Sequence, residues 1–200
     1  CRAKWARPFY RLGELMTLAF LPFAFGVFFA IFFLGRHELF YWLDTSSEGH
    51  TSSWLSSNGL LFRNLAAQLA FYGLAIYYFI VGLLPDLSQQ NSEEGPEWRR
   101  SLYRRLLAMK ARHNERQLKG RVYLLAPAVL IVCGIANTII AWDFGMMLVE
   151  HYHSSVYPMF FIQGNNLAGT ALILLLSPLL VRSTATRKHF GHNQLKSMGI

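Results

Sequence analysis

The stretch that decides the fold is Val122-Tyr-Leu-Leu-Ala-Pro-Ala-Val-Leu-Ile-Val-Cys-Gly-Ile-Ala-Asn-Thr-Ile-Ile-Ala-Trp142, which carries no charged side chain. About 20 apolar residues in a helix cross a hydrocarbon core of ~30 Å. The segment must be helical, because lipid offers backbone amides no hydrogen-bond partner. Three further stretches meet the same requirements, at residues 15–34, 64–84 and 159–181. The sequence therefore predicts an all-α membrane protein whose four transmembrane helices form an antiparallel bundle, a single domain over residues 1–200.

The composition agrees with a membrane protein. Hydrophobic residues make up 53% of the 200 residues and charged residues only 15%, and mean hydropathy is +0.26. A soluble domain carries roughly 25% charged residues. The two cysteines, Cys1 and Cys133, exclude a disulfide framework, a zinc cluster and an iron–sulfur spacing. The chain begins with neither an initiator methionine nor a signal peptide, so we expect it to be an excerpt or a processed piece.

The net charge of +8 is distributed according to membrane topology. Basic residues precede the first span, follow the fourth, and number nine between Arg99 and Arg121. The connection between the third and fourth spans contains none. By the positive-inside rule, both termini and the middle loop are cytoplasmic. This alternation also argues against nucleic-acid binding, which an overall basic charge could otherwise indicate.

The middle loop, residues 86–120, is predicted to contain an amphipathic helix after Pro96. Trp98, Leu102, Leu106 and Met109 recur at helical spacing among arginines. Such a helix could be a membrane-surface anchor or a docking site. We favour a solvated cytoplasmic helix whose arginines meet lipid headgroups.

The junction between the third and fourth spans, residues 142–158, concentrates polar groups where membrane meets water. It contains no lysine or arginine, but two carboxylates, two imidazoles and two serine hydroxyls: Asp143, Glu150, His151, His153, Ser154 and Ser155. Ionisable groups near hydrocarbon are costly and commonly functional. The carboxylates and imidazoles of this junction are therefore candidate proton acceptors.

The start of the second span faces the same side of the membrane. Asn64 and Gln68 lie one helical turn apart beside Arg63, so all three are expected to approach the junction around Asp143. For Arg63, extension to lipid headgroups is an equal alternative. In the fourth span, Gln163, Asn166 and Thr170 share one face, which we expect to point into the protein, as a ligand-facing wall or through interhelical hydrogen bonds.

No metal site is predicted. His37, His50, His151 and His153 all lie on the outer side, which leaves metal binding as a minor alternative. No pair of histidines within the spans could ligate a haem between helices. We accordingly expect neither haem nor an iron–sulfur cluster in this chain.

Several motifs carry a resemblance to a known family. They are Arg11-Leu-Gly-Glu-Leu-Met-Thr-Leu18, Gly82-Leu-Leu-Pro-Asp-Leu87, Tyr103-Arg-Arg-Leu-Leu-Ala108, and Asp143-Phe144 followed by His153-Ser-Ser-Val-Tyr-Pro158. With these, the chain resembles the NrfD-like (polysulfide reductase membrane subunit) family, and most closely the quinone-binding membrane subunit of alternative complex III. The matched region is similar to the middle four spans of a roughly ten-helix subunit.

The resemblance implies a function. It implies a quinone, menaquinone or ubiquinone, as bound substrate, and electron transfer to partner iron–sulfur and multihaem cytochrome subunits, with coupling to proton movement as a further expectation. The resemblance also implies other membrane subunits as partners and a location in the lipid bilayer of a bacterial inner membrane. Such a chain is a cofactor-free subunit of a quinol oxidoreductase complex. The residues implied for proton transfer and quinone binding are Asp143, His153, His151, Arg36, Asn64, Gln68, Ser154 and Ser155.

Two alternatives from other classes stay open. The family's His-Leu-Gly-Arg motif appears here as Phe33-Leu-Gly-Arg36, and an acidic residue of the next span appears as Asn64. These departures would suit a non-redox proton-conducting or scaffold subunit. Polar membrane faces would also suit a transporter, although no pair of helices broken by glycine or proline is evident. The functional histidine of the family can be aligned with either His151 or His153, so these two residues compete for one role.

Overall fold

The computed structural model describes residues 7–40, 56–88, 96–149 and 152–181. Within these ranges the fold is entirely helical and contains no strand. The helices are α1 (Arg7–Ala30), α2 (Arg36–Leu39), α3 (Ser57–Leu83), α4 (Glu97–Ala111), α5 (Glu115–Phe144) and α6 (Tyr157–Val181). The prediction of an all-α protein is confirmed for this part of the chain.

Four helical segments are long and apolar enough to cross a membrane. They run over Tyr10–Leu39, Ser57–Asp86, Glu115–Leu148 and Tyr157–Leu176. Each overlaps one predicted span, which confirms the four spans by length and composition. The second and third begin seven residues before the predicted starts, at Ser57 and Glu115. The antiparallel arrangement and the larger ten-helix subunit stay predictions.

Local signals explain where two long helices begin. The hydroxyl of Ser56 accepts a hydrogen bond from the amide of Gly59 at 3.0 Å, which caps the start of α3. Before α5, the side-chain oxygen of Gln117 accepts a hydrogen bond from the amide of Asn114 at 3.3 Å. This is the reciprocal half of a capping box, and it satisfies an amide that the helix itself leaves unpaired.

Contacts group the chain into two compact units, Cys1–Leu65 with Asn137–Ile200, and Ala66–Ala136. In the first unit, Phe32, Phe40 and Leu60 form a buried cluster to which Phe144 and Leu148 add partly buried side chains. In the second, a buried aliphatic cluster joins the end of α3 to the start of α5, and one face of α4 packs against it. The buried residues of this cluster are Val81, Leu84, Leu87 and Leu118.

Irregular turns lie near the ends of two of these four segments. A single π-helical turn, Ile31–Gly35, connects α1 to α2 and presents Arg36 immediately after it. A 3₁₀ turn, Met146–Leu148, follows α5. Wider and tighter turns of this kind change the direction of side chains relative to a regular α-helix. Both turns lie next to residues that the sequence assigns to the candidate site.

Candidate functional site

The centre of the site is the carboxylate of Asp143, in the last turn of α5. Asp143 is 1% exposed. Arg63, in the second turn of α3, donates two hydrogen bonds to it: Nε to Oδ2 at 2.7 Å and Nη2 to Oδ1 at 2.7 Å. The arginine side chain is 9% exposed. This is the bidentate arrangement in which a planar guanidinium recognises a carboxylate.

Asn64 is the third member of the cluster and is fully buried. Its amide nitrogen donates to the carbonyl oxygen of Leu60 at 3.0 Å and to Oδ2 of Asp143. Because both partners are acceptors, they fix the orientation of the amide and identify the remaining atom as oxygen. This oxygen, Oδ1, is buried and has no hydrogen-bond partner within the described ranges.

Aromatic side chains adjoin the polar cluster. Phe144, the residue after Asp143, has its ring centroid 5.7 Å from that of Phe40 and 6.1 Å from that of Phe28, both in edge-to-face geometry. Phe40 and Leu60 are fully buried. Interactions between charges are stronger in such an apolar environment than in water. The cluster therefore combines three polar side chains with a wall of packed aromatic rings.

The end of α5 lies against the start of α6. A Cβ atom built on Gly145 would overlap the Tyr157 side chain, with Cε1 at 2.6 Å, and the carbonyl oxygen of Ala141 at 2.7 Å. Only a residue without a side chain fits there. The amide of Ser154 also contacts the sulfur of Met146 at 3.3 Å. The tight contact with Tyr157 restricts the backbone two residues after Asp143.

The structure brings together part of the predicted site. Arg63 and Asn64 reach Asp143, as the sequence predicted, and Arg63 pairs with this carboxylate rather than extending to lipid. His153 and Ser155 are exposed and Ser154 is half-buried. His151 lies outside the described residues, as does Glu150.

Arg36 and Gln68 are two further predicted site residues. Arg36 donates to the hydroxyl of Ser57 at 3.3 Å and to Nε2 of His37 at 3.1 Å, with its guanidinium carbon 5.4 Å from the centroid of the Phe32 ring. Gln68 belongs to the second compact unit. It is buried, and its Oε1 has no partner in the part of the chain that the structure describes.

The polar face of α6 differs from expectation. Gln163, Asn166 and Thr170 are exposed, whereas the sequence predicted that they point into the protein. An interhelical hydrogen bond of α6 comes from Asn165, whose amide nitrogen donates to Oδ1 of Asn137 at 2.9 Å. All residues from 163 to 171 are exposed, Asn165 included, so the prediction that the polar face points inward was wrong for the described chain, because this part of α6 makes little contact with it.

No group of three histidine, cysteine, aspartate or glutamate side chains in the described ranges could hold a metal ion. Of the four outer histidines, His50 and His151 lie outside those ranges. Arg63 is the site residue whose role the sequence left open between the site and lipid headgroups. The signal was its position next to Asn64 in a span whose partner carries Asp143, since opposite charges inside a membrane pair with one another.

Comparison with protein-family models, with curated proteins and with solved structures finds no match for this chain.

Proposed function

We propose that the chain is an integral membrane quinone- and quinol-interacting subunit of a respiratory electron-transfer complex. The observation that carries the proposal is the buried Arg63–Asp143–Asn64 cluster, with one unfilled acceptor, beside an aromatic wall. A quinone headgroup is a planar ring with an oxygen at each end, so it requires an apolar surface and a few directed polar groups. The motifs that resemble the NrfD-like family support the same reading.

The chemistry follows from the residues. Oxidation of a quinol releases two electrons and two protons. Oδ1 of Asn64 is buried and has no hydrogen-bond partner among the described residues, so it would accept a hydrogen bond from a quinol hydroxyl that displaces the packing around it. Asp143 would supply the neighbouring negative charge, and Arg63 would hold its carboxylate in place. Asp143 and His153 would accept the two protons in turn, and the exposed His153 would release them to water, with His151 as the competing base and Ser154 and Ser155 as orienting groups. The electrons would leave to partner iron–sulfur and multihaem cytochrome subunits.

The surroundings are part of the proposal. The distribution of basic residues supports cytoplasmic termini in a bacterial inner membrane. The exposed polar face of α6 supports membership of a larger, ten-helix subunit, since uncovered amide side chains are costly in lipid. Further spans or other membrane subunits would cover Gln163 and Asn166 there. Arg36 and Gln68 remain candidate quinone-binding residues in this reading.

The test is quinone binding in lipid nanodiscs. Asn64→Leu removes the unfilled acceptor and retains both Arg63 and Asp143, and it is expected to weaken binding of a short-chain quinol about tenfold, the effect of one hydrogen bond of ~1.4 kcal/mol. The matched control is Asn137→Leu, the same chemical change at the α5–α6 contact. Tryptophan fluorescence quenching by the quinol gives the dissociation constants. Equal affinity of wild type and both variants would contradict the proposal.

Turnover of the complex tests the proton route. His153→Ala is expected to slow quinol-dependent electron transfer and to leave assembly intact, because His153 is exposed. Val156→Ala, an exposed change in the same loop, is the control and should keep normal turnover. Normal turnover in His153→Ala would remove this residue from the mechanism and leave His151 as the base.

A specific observation favours a second function, a non-redox scaffold or proton-conducting subunit. Both oxygens of Asp143 already accept hydrogen bonds from within the chain, as in a structural ion pair. A scaffold would bind no quinol. It would nevertheless lose assembly with its partner subunits when the ion pair is removed, which separates it from the first proposal.

A further inference from the structure

The helix α4 packs on the ends of two spans through one of its faces. Tyr103, Leu106 and Leu107 contact the buried cluster that joins the end of α3 to the start of α5. Leu118, which is fully buried in this cluster, lies in the first turn of the span Glu115–Leu148. The packing therefore holds α4 at the level where these two spans leave the membrane.

Hydrogen bonds fix α4 at the same level. Nζ of Lys110 donates to the carbonyl oxygens of Pro85 at 3.2 Å and Leu87 at 2.7 Å. The hydroxyl of Tyr103 donates to the carbonyl oxygen of Ser88 at 2.7 Å and accepts from its amide at 3.0 Å. All three acceptors lie at or just after the end of the span Ser57–Asp86. The hydrogen bonds from Lys110 and Tyr103 satisfy backbone groups that the end of this span leaves unpaired.

A second face of α4 is apolar and uncovered. Trp98 is 71% exposed, Leu102 52% and Met109 47%. Their spacing of four and seven residues places them on one stripe of the helix, to the side of the residues that pack on the spans. Tryptophan is enriched where membrane and water meet.

A third face is basic. Arg100, Arg104 and Arg105, together with Glu97 and Ser101, line a shallow cavity of about 320 Å³. The Nε atom of Arg100 is buried and has no hydrogen-bond partner among the described residues. Guanidinium groups present planar, paired donors that match the oxygens of a phosphate.

We propose that α4 binds anionic phospholipids at the membrane surface. Trp98, Leu102 and Met109 enter the interfacial region of the bilayer, and the arginine-lined cavity receives the phosphate of an anionic headgroup. The occupant is lipid because the packing of α4 on the span ends puts the bilayer surface next to it, and the charge of the arginines complements that of an anionic leaflet. This role is independent of quinone chemistry.

Spin labels in the full chain test the apolar face. In a variant without Cys1 and Cys133, a single nitroxide is attached at Leu102→Cys or, as the matched control, at the exposed Ala108→Cys, which lies outside the apolar stripe on the basic face of α4. In nanodiscs containing phosphatidylglycerol, oxygen should increase the spin relaxation rate of the label at 102 more than a nickel chelate does, because oxygen concentrates in lipid. The nickel chelate stays in water and should have the larger effect on the label at 108. A label at 102 that meets nickel as readily as the label at 108 overturns the proposal. Protection from both reagents by a co-purifying protein also overturns it.

Retained lipid tests the basic face. Replacement of Arg100, Arg104 and Arg105 by glutamine is expected to reduce retention of phosphatidylglycerol over phosphatidylcholine at least ~5-fold, about the effect of one cationic side chain at an anionic surface. The control removes the same charge outside α4, at the exposed residues Arg112, Arg116 and Lys119. Mass spectrometry of lipid bound after detergent exchange gives the ratio, and circular dichroism checks that both variants fold. Equal loss in the two triple variants, or no loss in either, overturns the assignment to α4.

Discussion

Two sets of arginines in this chain have opposite surroundings. Arg63 is 9% exposed and both ends of its guanidinium fork meet Asp143. On α4, Arg104 and Arg105 are exposed and line an open cavity. A buried charge is stable only with a partner inside the protein, whereas an exposed charge can remain solvated or bind an external anion. The comparison separates an arginine that the fold requires from arginines that are accessible to a ligand.

The largest expected effect comes from breaking the buried pair. Asp143→Asn leaves Arg63 buried without its counter-charge, and we expect it to reduce the free energy of unfolding by about 3–5 kcal/mol. Reversible denaturation in detergent micelles measures the change. The double variant Arg63→Gln, Asp143→Asn removes both charges and should recover most of the loss. If the single and double variants are equally destabilised, the ion pair is not the cause.

The next largest effect concerns the close contact of Gly145 with Tyr157, beside the Arg63–Asp143 pair. Gly145→Ala should cost about 1–3 kcal/mol, because the added methyl would overlap Tyr157 and the backbone of Ala141. Gly73→Ala is the control, since a Cβ there meets nothing within 4 Å, and in a helix interior it should stabilise by roughly 0.5–1 kcal/mol. Thermal unfolding of the two variants gives the comparison. Similar stability of both would show that the turn after α5 relaxes freely.

The attachment of α4 should contribute less. Lys110→Met keeps the length of the side chain but removes hydrogen bonds to two carbonyl oxygens, at an expected cost of about 1–2 kcal/mol. Hydrogen exchange should show faster exchange of the α4 amides. Lys119→Met, at an exposed position, is expected to leave exchange unchanged. Unaltered protection in Lys110→Met would assign the attachment to the apolar contacts alone.

The smallest expected effect comes from an exposed arginine of α4, which contrasts with the buried Arg63. Arg104→Gln should change the free energy of unfolding by less than ~0.5 kcal/mol, because Arg104 is exposed and surface substitutions of this kind are usually near neutral. The same denaturation experiment as for Asp143→Asn measures it. A loss above 1 kcal/mol would mean that the α4 arginines support the fold, as Arg63 does, and the distinction between the two sets would fail.

Part of the site could be anticipated from sequence and part could not. The motif around Asp143 and the position of Asn64 predicted their proximity, because both lie at the same end of neighbouring spans. The sequence did not decide whether Arg63 extends to lipid headgroups or approaches Asp143, since an arginine suits both positions. On α4, helical spacing grouped Trp98, Leu102, Leu106 and Met109, but only Leu106 of these packs on the buried cluster, where Tyr103 and Leu107 join it.

The sequence by itself determined that the described part of the chain has four helices long and apolar enough to cross a membrane, because the thickness of a bilayer sets a length of apolar residues that can be counted directly. It also determined that a helix follows Pro96. Only the tertiary structure decided that Arg63 pairs with Asp143, that Asn64 keeps an unfilled oxygen, and which face of α4 packs on the spans. These depend on the rotation of each helix about its axis, which brings together residues distant in the chain and which periodicity alone does not specify.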